Sequence, residues 1–521
     1  MRTSLATSFA CAALLGWTGL GPAPVQAQTA QDPLSAIDWL SDVVRADPSA
    51  LPKIAKPKGD DVATSATATQ VTTMTLGQLK LDAVGLLPRA STGLPADFWA
   101  RSSVKDLVPA LRNLRGDLPP PLAQFLTTLL LAELPAPVDS TDGAEMFLAR
   151  VDKFLELGAL DQAQALLARA GPTRPLLFGR WFDVSLLTGQ EDQACTSMLQ
   201  TPAIAPTYPA RVLCLARTGD WDAAAVTLNT GKALGVISDK EDALLARFLD
   251  PELFEGEPFL PVPDRITPLS FRMHEAIGEP LSLGGLPHAF AYRGLSDTNG
   301  WKARLSAAER LVRTGAVAPD TLFSLYAERG PAASGGVWDR ARAVQDFDAA
   351  LASGDAGRIA QTLTPVMRTM RSAGLEHAFS QSYGPKLISV ELTGRAAQNA
   401  ARAAFMSKDY EIAAGSALAQ AAPALWSAVA KGQTKGQTSD DALEAAILAG
   451  LGAMTPPTEF AALLGDRRLG EVALLAIGLM ADGARSDPAN VERGLAALSQ
   501  MGLEDVARQT ALHMLLTRPR A

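Results

Sequence analysis

The stretch LLTGQEDQACTSMLQTPAIAPTYPARVLCLARTGDWDAA, residues 186–224, contains two phrases that nearly repeat, TGQEDQA and TGDWDAA. In each phrase a glycine is followed five residues later by an alanine, Gly189 with Ala194 and Gly219 with Ala224. Glycine tolerates the left-handed conformation that ends a helix, and acidic residues suit the first turn of the next helix. Each phrase therefore predicts the turn of a helical hairpin in which the alanine lets two helices approach closely.

The same phrase recurs elsewhere in the chain. Further copies begin at Gly158 and Gly502, and looser copies begin at Gly354, where Ile359 replaces the alanine, and at Lys408, which replaces the glycine. One hairpin cannot bury its own apolar face, so repeated hairpins are expected to stack into an array.

This phrase resembles the tetratricopeptide repeat, in which a turn glycine is followed by an alanine, a second alanine and a proline. Gly158 is followed in this way by Ala163, Ala170 and Pro175. The resemblance covers about a third of the chain, and most copies lack the aromatic residues of the first helix. It implies an all-α fold, an irregular tetratricopeptide-like superhelix of helical hairpins. We expect one short extended segment near the N-terminus, at VTTMTL, residues 71–76.

Composition agrees with a large helical core and limits the partners. Of the 521 residues, 47% are hydrophobic and 6% are aromatic, with alanine and leucine throughout. These two residues are strong helix formers. The formal net charge is −8, and no run of lysine and arginine occurs. A nucleic-acid or anionic-lipid partner requires a basic face, so both are excluded as expected partners.

The N-terminus has the features of a secretory signal peptide. Arg2 precedes an apolar run from Leu5 to Leu20, and the sequence VQA at residues 25–27 fits signal peptidase. We expect cleavage after Ala27, and the alternative is an uncleaved N-terminal anchor. Cys11 lies too early in the apolar run to carry a lipid. The predominance of alanine, and of arginine over lysine, is typical of GC-rich Gram-negative bacteria, so the predicted compartment is the periplasm.

No integral membrane segment is expected after cleavage. The apolar stretch from Leu469 to Ala481 is too short to span a bilayer and contains Glu471. A buried helix is the better interpretation of this stretch.

Cleavage leaves two cysteines, Cys195 and Cys214. In an oxidising compartment such a pair predicts one disulfide, and the alternative is two buried thiols. The cysteines lie 9 residues before and 10 residues after Ile204, which is in the middle of the link between two helices. Antiparallel helices joined there would bring both cysteines to one level, and the bridge would join neighbouring repeats.

Composition divides the chain into seven segments. The region 251–300 can be read as a domain junction or as an irregular crossover inside one superhelix. The predicted segments are a signal peptide at 1–27, an N-terminal helix and low-complexity linker at 28–80, repeats at 81–250, a Pro/Gly-rich crossover at 251–300, repeats at 301–430, a linker at 431–441 and a C-terminal helical cap at 442–521.

Catalytic and metal-binding signatures are missing from the sequence. The four histidines lack a partner at helical spacing, and HExxH, CxxC and GxSxG do not occur. Ser102 and Lys105 match SxxK, but the companion motifs of penicillin-binding enzymes are absent. Lytic transglycosylases combine a helical superhelix with a catalytic Glu-Ser pair, and this chain contains no such pair. We therefore predict no catalytic residue, cofactor or metal.

One phrase, ASGGVWDR at residues 333–340, is a speculative partner contact. Ser334 can cap the following helix, and Gly335 and Gly336 can expose backbone N–H groups. Trp338 and Arg340 are residue types enriched at binding hot spots. The alternative is a tight turn with Trp338 packed in the core.

These observations favour an exported periplasmic α-solenoid that acts as a scaffold or adaptor for a protein or peptide partner, in a cell-envelope complex. One alternative is a cell-wall-acting enzyme with a dispersed site in the Pro-rich central region. Two carboxylates converging in a deep pocket would favour the enzyme, and a long open groove would favour the scaffold. Another is a structural component that assembles with itself.

Overall fold

The computed structural model describes residues 80–518. The predicted signal peptide with its cleavage site, the N-terminal helix and the extended segment at 71–76 lie outside these residues. Within 80–518, no helix is both long enough and apolar enough to cross a membrane.

The described chain is all-helical, as predicted, with 25 α-helices and one pair of two-residue strands. The helices of the first half are α1 (Arg89–Thr92), α2 (Val104–Asn113), α3 (Pro120–Leu131), α4 (Glu145–Leu157), α5 (Leu160–Ala170), α6 (Pro175–Thr188), α7 (Glu191–Gln200), α8 (Tyr208–Arg217), α9 (Trp221–Ala233), α10 (Asp239–Leu249), α11 (Pro268–Ala276) and α12 (His288–Arg293). Those of the second half are α13 (Trp301–Arg313), α14 (Pro319–Ala327), α15 (Val337–Ser353), α16 (Ala356–Ser372), α17 (Glu376–Leu387), α18 (Gly394–Met406), α19 (Tyr410–Gly415), α20 (Ala424–Ala430), α21 (Ala442–Gly452), α22 (Thr458–Gly465), α23 (Leu469–Leu479), α24 (Pro488–Gln500) and α25 (Glu504–Thr517).

The repeated phrase marks hairpin turns, which confirms the central prediction. Its copies fall between α4 and α5, α6 and α7, α8 and α9, α15 and α16, α18 and α19, and α24 and α25. At Gly158 the backbone has φ 81°, and an added Cβ would lie 2.8 Å from Leu311 Cδ2, so this turn requires glycine. The alanines of the phrase, including Ala163 and Ala224, are fully buried.

The two strands, β1 (Leu87–Pro88) and β2 (Ala132–Glu133), are parallel. They are too short to provide hydrogen-bond donors for all the backbone carbonyls around them. The side chain of a buried arginine provides the missing donors. Arg150 on α4 donates from Nε to the Leu130 carbonyl at 2.7 Å and from Nη1 to the Val84 carbonyl at 2.7 Å. The segment before α1 is thereby fixed to α4.

Most helices share one apolar core, which we call the main body. It extends from Val84 to Leu516 and includes Phe271 of α11 and Phe290 of α12. The Pro/Gly-rich stretch at 251–300 thus contributes aromatic side chains to the same core as its neighbours.

A second, smaller apolar cluster lies within α8, α9 and α10, which together we call the outer lobe (residues 208–249). Met273 of α11 completes this cluster. The outer lobe packs on the main body through α7 and α11.

The two ends of the described chain meet, because α23 packs against α2 and α25 packs against α3. The Gly470 N–H donates to the Phe98 carbonyl at 2.9 Å. A Cβ at Gly470 would lie 2.4 Å from Trp99 Cε3, so glycine is needed for this close approach. The predicted C-terminal cap is therefore packed on the first helices of the array.

Candidate binding surface

The cysteine pair lies where the outer lobe joins the main body. Cys195 is on α7 and Cys214 on α8, and Ile204 is buried in the turn between them. The two Cα atoms are 4.8 Å apart and both side chains are buried. This is the separation that a disulfide requires, so the predicted alignment of the two cysteines is confirmed.

An ion cluster lies at the same junction. Glu191 at the start of α7 accepts a hydrogen bond from Arg272 of α11 at 2.8 Å and lies 3.3 Å from Arg217 of α8. Arg272 also pairs with Glu275, which lies 3.2 Å from Arg293. Burial lowers the pKa of Arg272, but the carboxylates of Glu191 and Glu275 outweigh it and raise this pKa above its ordinary value. The cluster holds α7, α8 and α11 together with charge-assisted hydrogen bonds.

Large exposed apolar side chains are concentrated on the outer lobe and the segment that follows it. Of the twelve such residues among the described ones, eight lie between 208 and 262. They are Tyr208, Trp221, Val226, Leu234, Val236, Leu253, Phe259 and Val262. Contiguous exposed apolar patches mark interaction sites, and these eight residues all lie on one lobe or on the segment beside it.

Trp221 shows why this surface is exposed. Its exposed fraction is 49%, so the indole is open to water and is not packed in the core. Its ring lies beside Phe248 of α10, with the centroids 6.2 Å apart. Helix α9 packs against α8 and α10, so its outer side is left open to a partner.

An irregular segment rich in proline, residues 257–263 (EPFLPVP), follows the outer lobe, and we call it the proline segment. Arg247 of α10 lies 3.3 Å from Glu257 at one end of this segment and 2.9 Å from Glu279. The second carboxylate oxygen of Glu279 accepts the Leu260 N–H at 2.8 Å. Asp264, just after the segment, pairs with Lys240 near the start of α10. These contacts fix the proline segment along α10 at its two ends and its middle.

The phrase at 333–340 forms the start of α15. The residue before this helix is Gly336, and no side chain caps the helix, so the predicted cap by Ser334 is wrong. The Gly335 N–H donates to Asp339 Oδ1 at 3.0 Å. Trp338 is half-buried with its ring 5.1 Å from that of Trp301. Ser334, Gly335 and Gly336 are exposed.

Arg340 is engaged inside the fold. It donates to both carboxylate oxygens of Glu309, at 2.6 and 2.7 Å. The buried carboxylate also accepts the Tyr326 hydroxyl at 2.6 Å. Burial, followed by the effect of Glu309, raises the pKa of Tyr326. These contacts make Arg340 a structural residue that joins α13 and α15.

Two histidines meet although they are far apart in the sequence. His377 of α17 and His513 of α25 have ring centroids 5.6 Å apart, and Gln381 Nε2 lies 3.2 Å from His377 Nε2. Burial, then the neighbouring His513, lowers the pKa of His377 to about 3, and burial lowers the pKa of His513 to about 4. Across residues 80–518, no group of three or more His, Cys, Asp or Glu is arranged to hold a metal ion.

A groove lies between the linker at 431–441 and α21. Its lining includes the polar residues Thr434, Gln437 and Ser439 and the apolar residues Leu448 and Met454. Among the residues that the structure describes, no carboxylate lines this groove.

Comparisons of the chain with protein-family models, with curated proteins and with solved structures gave no match. The assignment of the outer lobe and proline segment as a binding surface therefore depends on their geometry.

Proposed function

We propose that this chain is an exported periplasmic scaffold, a tetratricopeptide-like hairpin array that binds a protein or peptide partner of a cell-envelope complex through its outer lobe. The observation that carries the proposal is the concentration of large exposed apolar residues between 208 and 262. Burying one such side chain contributes about 1.5–3 kcal/mol, so a few of them suffice for a specific contact.

The outer lobe is preorganised for such a contact. The Cys195–Cys214 pair and the Glu191–Arg217 ion pair join α7 to α8 and fix the position of the lobe on the main body. A surface that is already ordered loses little conformational entropy when it binds, so more of the apolar burial appears as affinity.

Export is supported by two independent features of the chain. The first 27 residues have the pattern of a cleaved signal peptide. The two remaining cysteines have the separation of a disulfide, and disulfides persist outside the cytoplasm. Amino-terminal sequencing of the mature protein should begin at Gln28, and non-reducing mass spectrometry should find Cys195 and Cys214 in one linked peptide. A start at Met1 or two free thiols would contradict export by this route.

The binding proposal is tested with the full chain in its native host. The double variant Val226→Glu and Leu234→Glu places two charges on the outer lobe. The control variant Met454→Glu places one charge beside the groove at α21, at a residue that is 78% exposed. We expect copurified partner proteins to be lost from the lobe variant and retained by the Met454 variant, with the same helix content by circular dichroism.

Light scattering separates a foreign partner from a second copy of the chain. Recovery of the same partner from the lobe variant would overturn the proposal. A chain that associates solely with itself, through the outer lobe, would replace the scaffold with the self-assembling component.

A further inference from the structure

From Pro258 onward the proline segment shows a three-residue period in its exposure, whereas Glu257, three residues before Leu260, is exposed. Leu260 and Pro263 are half-buried, while Pro258 and Pro261 are exposed. Phe259 is 80% exposed and Val262, three residues later, is 67% exposed. A polyproline II helix has three residues per turn, so residues three apart share a face. The exposure therefore matches a polyproline II helix with one face against the molecule and two faces outward.

The sequence restricts the backbone to this conformation. Pro258, Pro261 and Pro263 have φ fixed near −65° by their rings. Each proline also forces the residue before it into the extended or polyproline II region, which constrains Glu257, Leu260 and Val262. Six of the seven residues are thus limited before any partner arrives.

Contacts with the molecule hold the segment in place without covering its outer faces. The segment is held by the Leu260 N–H bond to Glu279 and, at its start, by the pair of the exposed Glu257 with Arg247. Arg247 contacts both carboxylates, and its guanidinium also lies 5.6 Å from the centre of the Phe254 ring. Arg247 is accordingly the residue that positions the segment.

We propose that residues 257–263 are a preformed polyproline II ligand, which a partner domain takes into a groove lined with aromatic side chains. Phe259 and Val262 fill pockets of that groove, and Pro258 and Pro261 stack on its rings. This is the physical mode by which folded domains recognise extended proline-rich segments. The exposed carboxylates of Glu252 and Glu255 beside the segment favour a groove with a basic rim. The proposal rests on the proposed scaffold function and names the chemistry of its partner.

The test is photocrosslinking in intact cells with the full chain. p-Benzoylphenylalanine is incorporated singly at positions 259 and 262, at 226 and 234 on the outer lobe, and at 454 as the control. We expect 259 and 262 to crosslink a partner at peptides that contain tyrosine or tryptophan, with no crosslink from 454.

The outcomes separate the two proposals. Crosslinks from 226 and 234 without any from 259 or 262 would overturn the polyproline II ligand and leave the scaffold standing. Crosslinks from none of these four positions would overturn both. Crosslinks from 259 to a second copy of the chain would also overturn the ligand proposal.

Measured affinity for the crosslinked partner then tests Phe259 as an anchor and Arg247 as a positioning residue. Phe259→Ala should weaken binding about thirtyfold, as expected for an anchor, and Met454→Ala should leave it unchanged. Arg247→Ala should weaken binding by letting the segment move, and Arg247→Lys, which keeps a cation between Glu257 and Glu279, should restore most of the affinity. Equal binding by Arg247→Ala and the unmodified chain would contradict the positioning role.

Discussion

The main body and the outer lobe are stabilised in different ways. The main body buries many aromatic side chains, among them Phe147, Phe154 and Phe178, and its N-terminal segments are fixed by buried cations. The outer lobe has a core of eight buried aliphatic residues that contains no aromatic ring. Such a small cluster supplies little apolar burial, and proteins with small cores add covalent or ionic links. The cysteine pair and the ion cluster at Glu191 have this role.

This difference between the two regions indicates where a partner can bind without lowering the stability of the fold. If apolar side chains of the main body turned outward to meet a partner, the large core that its helices share would be exposed to water. The outer lobe is the end of a local stack, so its outer side is exposed without loss to the core. Its position is still defined, because Cys195 and Glu191 of α7 are linked to Cys214 and Arg217 of α8.

The largest expected effect is a loss of stability of the main body. Arg150→Ala should lower the free energy of unfolding by about 3–5 kcal/mol, because the carbonyls of Leu130 and Val84 lose their buried donor. Burial lowers the pKa of Arg150 to about 10, so the lost group is a cation at neutral pH. Urea denaturation measures the change. Arg329→Ala, at a side chain that is 65% exposed, is the control and should stay within about 0.5 kcal/mol.

A loss below about 1 kcal/mol for Arg150→Ala would show that the first segment is held by its apolar contacts alone.

The second effect is confined to the outer lobe. Replacing both Cys195 and Cys214 with alanine should cost about 3 kcal/mol, the entropy of closing a loop of this length. Hydrogen exchange should then rise about a hundredfold in α8, α9 and α10 and remain unchanged in α4 and α6. Uniform loss of protection over both regions would show that the lobe and main body unfold as one unit.

The sequence predicted local features well. Gly158, Gly189 and Gly219 gave the hairpin turns, because a helix end depends on a few neighbouring residues. The alignment of Cys195 and Cys214 followed from helix lengths and the turn between them. Both inferences use contacts close together along the chain.

The remaining features depend on contacts between distant residues. The packing of α23 on α2 requires Gly470 to meet Trp99, and nothing in either local sequence indicates that pairing. Trp221 is 49% exposed at the start of α9, and nothing in the local sequence indicates that it faces water. Arginine is a residue type that is common at binding sites, but Arg340 forms an ion pair with Glu309 inside the fold, and this contact makes its role structural.

The approach of His377 to His513 is a third example of such a contact, and it makes the main body sensitive to pH. Both pKa values are lowered in the folded state, to about 3 and about 4, so between these values and pH 6.5 the unfolded chain binds more protons. Stability should therefore fall as the pH is lowered from 7 to 5, by about 1–2 kcal/mol per histidine. Urea midpoints at the two pH values measure it.

The matched variant combines His377→Gln with His513→Gln and should show a flatter dependence of stability on pH. The outer lobe, residues 208–249, contains no histidine, so the protection of its amides against exchange should fall less between pH 7 and pH 5 than that of the main body. An identical pH dependence of stability in the variant and the unmodified chain would show that these two histidines do not cause it.

The smallest effect on stability distinguishes the two faces of the proline segment. Phe259→Ser should change the free energy of unfolding by less than about 0.5 kcal/mol, because the ring is already exposed to water. Leu260→Ser, one residue later and half-buried against the outer lobe, should cost about 1 kcal/mol or more. Urea denaturation of the two variants gives the comparison. Equal losses would mean that Phe259 packs on the molecule and is not available to a partner, whereas the expected difference keeps the outward face free for binding.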